Sequence, residues 1–195
     1  GVKAASPMLD ISAQVLDADD RGLLGLAVDP NYFTNHYIYV MYTVDPDSNN
    51  VETNTDAYSR LARYTVNFTD SASVVASSRA VLFGANWTSG IVSCSPSHTI
   101  GDLNWGSDGS LLVSAGDGAS FSATDKGGLH PNCFIAGRTN PYEDIGAFRS
   151  QSLTSLAGKV LRIDPATGWG YASNPYYDGN PQSVRSRVWT YGLRN

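Results

Sequence analysis

The sequence predicts an all-β protein, and three observations lead to that class. The 195 residues include 11 Tyr, 19 Gly and 9 Pro, whereas only 16% are charged. Aromatic residues and turn formers at this abundance are typical of sheets joined by tight turns. Apolar and polar residues also alternate over several short runs, as they do in half-buried strands, and no stretch has the apolar spacing of a helix of normal length.

Five runs in the first half of the chain are predicted as strands, at residues 8–16, 23–28, 37–44, 59–66 and 74–83. The third run, YIYVMYTV, consists almost entirely of β-branched and aromatic residues, which favour strands. Polar loops are expected at 17–22 and 45–56, because both segments are rich in Asp. The last four strands are expected to form one antiparallel sheet.

A hairpin at residues 97–118 is predicted to be the centre of the fold. Apolar residues run through Leu103 and Trp105, the Ser-Asp-Gly sequence at 107–109 supplies a turn, and a return strand follows. This return strand is expected to stop at a Gly-Asp-Gly sequence. His98 precedes the first strand, which places a titratable imidazole at a sheet end, where loops gather and ligands usually bind.

The strand pattern recurs along the chain. Leu26 in the first unit corresponds to Leu103 in the second, an offset of 77 residues, and residues 60–67 resemble residues 159–165. A repeated four-stranded antiparallel unit is typical of a β-propeller, whose blades recur at intervals of roughly 40–50 residues. Insertions explain the larger offset, and the longest is expected at 119–156.

The chain is too short to form a complete propeller. About two blades fit into it, plus the start of a third at residues 187–192. Propellers close with roughly four to eight blades, because an open ring leaves sheet edges unpaired. We therefore expect residues 1–195 to be a partial propeller domain and a segment of a longer chain.

The charge distribution excludes two classes of partner. The formal net charge is −5, the isoelectric point is about 5.0, and Lys and Arg form no cluster in the sequence. Nucleic acids and anionic membranes bind such clusters, so neither is expected as a partner. No apolar run is long enough to cross a bilayer, and the first seven residues do not form a signal peptide.

Cys94 and Cys133 lie in loop-like sequence on either side of the hairpin, which could bring them together. A disulfide between them is predicted, with a pair of free thiols as the alternative, whereas two isolated cysteines do not form a zinc site. Two sequons, at Asn67 and Asn86, would accept glycans in a secretory pathway. Together with the small number of lysines, these features predict an extracellular glycoprotein.

Five blocks of sequence resemble the glucose/sorbosone dehydrogenase family, in the order in which that family carries them. They are residues 20–30 (DRGLLGLAVDP), 98–117, 156–164 (LAGKVLRID), 174–179 (NPYYDG) and 188–195 (VWTYGLRN). Members of this family, which include soluble quinoprotein glucose dehydrogenases and aldose sugar dehydrogenases, are six-bladed propellers. The run FRSQSL at 148–153 also resembles members found inside large secreted multidomain proteins.

The resemblance implies an enzyme that oxidises the anomeric carbon of a sugar with pyrroloquinoline quinone (PQQ) and a calcium ion that polarises the quinone. A histidine at the position of His98 would take the proton from the anomeric hydroxyl while a hydride passes to the quinone. Arg194 and Asn195 would contact the cofactor, because an Arg fork suits its carboxylates and quinone oxygens. The calcium ligands and the other cofactor ligands would come from later blades.

A second function also remains open, namely a propeller module without turnover that has a structural or adhesive role in a large extracellular glycoprotein. Relatives with quinone chemistry often carry a polar or acidic residue before the histidine and a Gln near the Gly-Leu-Leu-Gly block, whereas Ser97 and Asp20 stand here. In such a module His98 would be a capping or surface histidine and Arg194 a structural arginine. Its partners would be glycans or flanking domains of the same chain.

Other polar and aromatic side chains have two interpretations each. Asp117 could be a ligand, or it could end a strand by accepting nearby backbone N–H groups. The acidic run at 17–20 could bind calcium or form a solvated loop. Trp105, Trp169 and Trp189 could form a sugar platform, although packing between blades is the more common role of such residues.

Overall fold

The computed structural model describes residues 4–48, 56–70 and 72–195, which form two antiparallel sheets. The first sheet contains β1 (Leu23–Val28), β2 (Tyr37–Val44), β3 (Ala57–Thr65), β4 (Ala80–Phe83) and β5 (Ile91–Ser93). The second sheet contains β6 (Ile100–Trp105), β7 (Leu111–Ala115), β8 (Lys159–Ile163) and β9 (Val188–Tyr191). The helices are short: α1 (Tyr32–Asn35), α2 (Val184–Arg187) and 3₁₀ turns at Ser12–Gln14, Ala76–Ser78, Trp87–Ser89, Pro141–Glu143 and Gly146–Gln151.

Neighbouring strands in each sheet follow one another in the chain. The first sheet has the order β1-β2-β3-β4, with β5 paired to the other end of β3, and the second has the order β6-β7-β8-β9. Leu26 pairs with Val40 in the first sheet, and Leu103 pairs with Val113 at the corresponding place in the second. The predicted repeat is therefore present as two adjacent blades of a propeller-like fold, with β1 packed against β6.

The main apolar core lies between the two sheets. Ala27, Tyr39 and Met41 contribute to it from the first sheet, and Leu103 and Val113 contribute from the second. All five side chains are buried. Because strands alternate the faces to which their side chains point, this set follows from the period-two patterns of β1, β2, β6 and β7.

Gly25 and Trp105 bring the two sheets together. A Cβ at Gly25 would lie 3.0 Å from Cγ of Leu103, so a larger residue would push β1 away from β6. The Trp105 ring packs edge-on against Tyr39, with ring centroids 5.3 Å apart, and its Nε1 donates to the carbonyl of Val28 at 2.8 Å. Trp105 therefore packs between the blades, which is the structural one of its two interpretations.

The strand predicted at residues 8–16 is wrong. The segment contains a 3₁₀ turn at Ser12–Gln14 and makes one isolated bridge to the sheet, at Val15. Asp10 explains the turn, because its Oδ1 accepts the backbone N–H of Ser12 at 3.0 Å and the Ser12 hydroxyl at 2.7 Å. The apolar alternation nevertheless buries Val15 against the outer face of the first sheet.

The start of a third blade predicted at 187–192 is also wrong. Residues Val188–Tyr191 form β9, the fourth strand of the second sheet, and pair antiparallel with β8. Asn174 explains this placement, because its Nδ2 donates to the carbonyls of Arg162 and Ser186 at 2.8 Å each and so ties the connecting segment to β8. The part of the chain that the structure describes thus contains two blades.

Two further segments differ in detail from the prediction. The strand expected at 74–83 forms only from Ala80, after a 3₁₀ turn. In the loop expected at 45–56, Asp45 is buried rather than solvated, and its backbone N–H donates to the N-terminal 3₁₀ turn at 2.9 Å. Residues 49–55 of that loop lie outside the described part of the chain.

The insertion expected at 119–156 is present and is described throughout. It connects β7 to β8, and its regular structure consists of 3₁₀ turns. A disulfide between Cys94 and Cys133, with Cα atoms 5.9 Å apart, joins it to the segment that follows β5. Within the described ranges, no helix has the length and apolar character needed to cross a bilayer.

Candidate functional site

His98 lies just before β6 with left-handed backbone geometry, at φ 54°. A positive φ is uncommon for residues other than glycine, so neighbouring groups must hold it. The carboxylate of Asp20 accepts the His98 N–H at 3.1 Å, and the N–H of Gly118 donates to the His98 carbonyl at 2.8 Å. Asp20 therefore fixes the backbone of the candidate base.

The imidazole of His98 is held in one tautomer. Its Nδ1 lies 2.9 Å from the carbonyl oxygen of Ala119, and because a carbonyl can only accept, Nδ1 must carry the proton. Nε2 then has an unshared electron pair, and it has no hydrogen-bond partner among the residues that the structure describes. The Ser97 hydroxyl donates to the same carbonyl at 2.9 Å, so Ala119 accepts hydrogen bonds from two neighbouring side chains.

Arg194 reaches the same end of the second sheet. Its Nη1 lies 2.9 Å from both carboxylate oxygens of Asp117, and its Nη2 donates to the carbonyl of Ser120 at 2.8 Å. The Asp117 side chain is buried, with 1% of its surface exposed, whereas 47% of the Arg194 side chain is exposed. The Asp117 carboxylate thus accepts hydrogen bonds from the Arg194 guanidinium and from the backbone N–H of Ala119, the latter at 2.9 Å.

One short segment, residues 116–120, connects the candidate base and the candidate cofactor-binding arginine. We call it the site loop. In this loop, the carbonyl of Ala119 accepts a hydrogen bond from the side chain of His98, and the carbonyl of Ser120 accepts one from the side chain of Arg194. A Cβ at Gly116 would overlap the His98 carbonyl oxygen and lie 3.1 Å from that of Arg194, so the two backbones approach each other across this glycine. Residues 96 positions apart in the sequence are therefore neighbours.

Asn195 lies beside the site loop. Together with Thr99, Gly116 and Leu193, it lines a small cavity of about 70 Å³. Its side chain is exposed and has no hydrogen-bond partner in the described part of the chain. The structure therefore brings all three side chains predicted for the site to one end of the second sheet.

Two buried cations beneath the site loop were not predicted from the sequence. Arg149 is 2% exposed and Lys159 is fully buried. Burial lowers the pKa of Arg149 and lowers that of Lys159 to about 8. Glu143 lies nearby, and burial raises its pKa to about 7. The two sequence blocks that contain Arg149 and Lys159 supported the family resemblance, but nothing in them indicated that cations would be buried.

Metal ligands are not grouped in this part of the molecule. Within residues 4–48, 56–70 and 72–195, no three His, Cys, Asp or Glu side chains lie close enough together to hold an ion. In the acidic run at 17–20, Asp20 instead supports His98 through the backbone contact described above.

The predicted glycan acceptors lie in local turns. The Oδ1 of Asn67 accepts the hydroxyl of Thr69 at 2.8 Å, and that of Asn86 accepts the hydroxyl of Thr88 at 3.0 Å. Asn86 is exposed and Asn67 is half-buried. In both residues the amide nitrogen has no hydrogen-bond partner in the described part of the chain.

The chain matches the family model described as glucose / sorbosone dehydrogenase over residues 3–195. Similar solved structures include a glucose dehydrogenase (20% identity, TM-score 0.61), the PQQ-bound form of an aldose sugar dehydrogenase from Streptomyces coelicolor (23%, 0.60) and the apo form of a soluble aldose sugar dehydrogenase from Escherichia coli (19%, 0.54). Each match covers 93% of this chain but only 41%, 39% and 40%, respectively, of the other chain. The chain therefore spans about two fifths of the length of these structures, and at such identities the likeness shows the fold alone.

Proposed function

The chain belongs to the glucose/sorbosone dehydrogenase family, and we propose that the protein containing it oxidises the anomeric carbon of a sugar with PQQ. The family and the propeller-like fold are common to this chain and its relatives. Quinone dependence, the sugar and the roles of individual residues belong to the proposal.

The observation that carries this proposal is the contact of 2.9 Å between Nδ1 of His98 and the carbonyl oxygen of Ala119, which sets the tautomer. Removal of a proton from a sugar hydroxyl requires a base that is neutral near pH 7, and a neutral imidazole has one nitrogen able to accept. The bond from Nδ1 to Ala119 leaves Nε2 as that acceptor. His98 would therefore take the hydroxyl proton at Nε2, while Ala119 holds the orientation of the ring.

The side chains beside His98 fit a planar, anionic quinone. The Nε of Arg194 has no partner in the described ranges, and its two terminal nitrogens are already oriented by Asp117 and Ser120. Arg194 would donate to a carboxylate or quinone oxygen, and the amide of Asn195 would donate beside it. When bound, the quinone would accept a hydride from the sugar. A calcium ion would take its ligands from outside the described residues.

Paired asparagine variants of the full-length protein test the role of His98. His98 and His36 both have left-handed backbone geometry, at φ 54° and 57°, and asparagine tolerates this geometry better than most residues. His98→Asn therefore removes the imidazole with little backbone strain, and His36→Asn is the matched control. With PQQ and calcium added, dye reduction with several aldoses should fall by about 10²–10⁴-fold in His98→Asn only.

Two outcomes of this experiment would contradict separate parts of the proposal. A His98→Asn protein as active as the parent would contradict the assignment of the base. A parent protein that neither binds PQQ nor reduces dye with any aldose would contradict the enzyme itself.

One contact favours the second function, a propeller module without turnover. Arg194 pairs with the buried carboxylate of Asp117, which is how a structural arginine would hold the end of a blade. Titration of PQQ and calcium into the full-length protein distinguishes the two functions. A protein that melts cooperatively but binds no quinone would favour a structural or adhesive module that binds glycans or flanking domains.

We also propose that residues 1–195 belong to a longer, extracellular propeller domain. The disulfide and the two sequons support this location, since disulfides persist in oxidising compartments and sequons are modified in the secretory pathway. Mass spectrometry of the full-length protein isolated from its native source should detect glycans at Asn67 and Asn86 and no free thiol at Cys94 or Cys133. Unmodified asparagines together with two free thiols would contradict the proposed location.

A further inference from the structure

Arg149 holds the inner side of the site loop. Its Nε donates to the carbonyl of Asp117 and its Nη2 to that of Gly118, at 2.8 Å each. Its Nη1 donates to the carbonyl of Glu143, also at 2.8 Å. One guanidinium therefore bridges two consecutive loop carbonyls, with a third bond that fixes its own plane.

The next two carbonyls of the site loop accept the functional side chains. Ala119 accepts Nδ1 of His98 at 2.9 Å, and Ser120 accepts Nη2 of Arg194 at 2.8 Å. Neighbouring Cα atoms are only about 3.8 Å apart, and the peptide planes between them are rigid. A shift at residues 117–118 is therefore transmitted to the carbonyls that orient the imidazole and the guanidinium.

Lys159 holds Arg149 in turn. Its Nζ donates to the carbonyls of Arg149 at 2.8 Å, Ser150 at 3.2 Å and Ala157 at 2.7 Å. Arg149 and Ser150 lie in the 3₁₀ turn Gly146–Gln151, so the ammonium fixes the segment that carries the guanidinium. The two cations thus form a chain of contacts from β8 to the site loop.

Stability alone is a weak reason to bury two cations. Both lie inside the protein and bind backbone carbonyls, and the desolvation of a buried charge costs free energy even when it is hydrogen-bonded. Well-packed apolar residues of similar volume often replace a buried ion pair without loss of stability. A planar fork that bridges two carbonyls instead provides a defined geometry.

We propose that Arg149 is a positioning residue, which sets the tautomer of His98 and the placement of Arg194 through the carbonyls of residues 117–120, and that Lys159 holds Arg149 for this purpose. The catalytic meaning of this inference rests on the proposed function. Its structural content does not, because the tautomer of His98 can be measured without turnover.

The test compares two arginines of similar geometry in the full-length protein. Arg60 also bridges consecutive carbonyls, with Nε donating to Gly84 at 2.7 Å and Nη2 to Ala85 at 3.3 Å, but it lies in the first sheet, away from the site loop. Arg149→Lys replaces a planar fork with an ammonium, and Arg60→Lys makes the same change as the control.

Nitrogen-15 NMR of labelled histidine reports the tautomer directly, and the missing signal in His98→Asn assigns it. In the parent and in Arg60→Lys, neutral His98 should carry its proton on Nδ1. In Arg149→Lys, this fixed tautomer should be lost, and the PQQ dissociation constant should rise at least tenfold. Lys159→Met should weaken the Nδ1 signature in the same direction.

Each outcome bears on the positioning role. An unchanged tautomer in a folded Arg149→Lys protein would overturn it, as would an equal change in Arg60→Lys. Failure of both Arg149→Lys and Lys159→Met to fold would also overturn it, because the two cations would then be general determinants of stability. A changed tautomer in a protein that oxidises no sugar would support the inference and contradict the proposed function separately.

Discussion

Replacing Gly116 with alanine should displace His98 relative to Arg194 without altering either side chain. The new Cβ would lie 2.7 Å from the carbonyl carbon of His98 and 3.1 Å from the carbonyl oxygen of Arg194. Since carbon atoms pack at ~3.5 Å or more, the His98 backbone must move by roughly 0.8 Å. This shift strains the hydrogen bond that the N–H of Gly118 donates to the His98 carbonyl, and we expect the free energy of unfolding to fall by about 1–3 kcal/mol.

The same displacement should reduce activity more than it reduces stability. A misplacement near 1 Å can cost about 10²-fold in rate, so kcat/KM for dye reduction by the full-length, PQQ-loaded protein should fall by about that factor. Gly109→Ala is the control, because Gly109 lies in the hairpin turn at the far end of β6 and β7, and a Cβ there would meet no atom within 4 Å, so that only its positive φ costs stability. A Gly116→Ala protein that matches Gly109→Ala in both kcat/KM and melting temperature would refute the close approach at Gly116.

Three further changes test the scaffold around the site. The disulfide joins residues 39 positions apart, so a Cys94→Ser, Cys133→Ser double variant should lose about 4 kcal/mol in denaturant unfolding, and an unchanged midpoint would contradict this. Burial raises the pKa of Glu143 from 4.5 to about 7, so its contribution to stability is full below pH 4.5 and is lost as the pH rises through about 7. Melting temperatures of Glu143→Gln should consequently vary less than those of the parent over this range, and parallel curves would exclude the shift. Trp105→Phe removes the donor to Val28 and should cost about 1 kcal/mol of unfolding free energy; an equal stability would show that ring packing alone joins the sheets there.

Local patterns predicted much of the sheet structure. The limits of β1 and β2 follow from an apolar run that ends at a turn and from a run of β-branched and aromatic residues, and the hairpin of β6 and β7 follows from alternation around a turn. These signals lie within a few positions of each other. The strand predicted at 8–16 was wrong although apolar and polar residues alternate there. The side chain of Asp10 accepts a local hydrogen bond that favours a turn, and a count of apolar residues does not include it. The prediction that residues 187–192 begin a third blade was wrong because the pairing of a strand depends on contacts across the whole fold.

The candidate site was only partly visible in the sequence. His98, Arg194 and Asn195 were predicted as site residues because they lie in sequence blocks that resemble the family. Ala119 and Ser120 could not be predicted, because they act through backbone carbonyls, which every residue has. Arg149 and Lys159 were missed for another reason, namely that cations are usually exposed.

By itself, the sequence determined the all-β class, the repeated four-stranded unit and the identity of the groups able to do acid–base chemistry, because composition, alternation and side-chain type are local properties. Only the tertiary structure decided that 188–191 completes the second blade and that His98 meets Arg194 across one loop. It also decided which imidazole nitrogen holds the proton. These outcomes depend on contacts between residues far apart in the chain, and such contacts exist only after both sheets have packed.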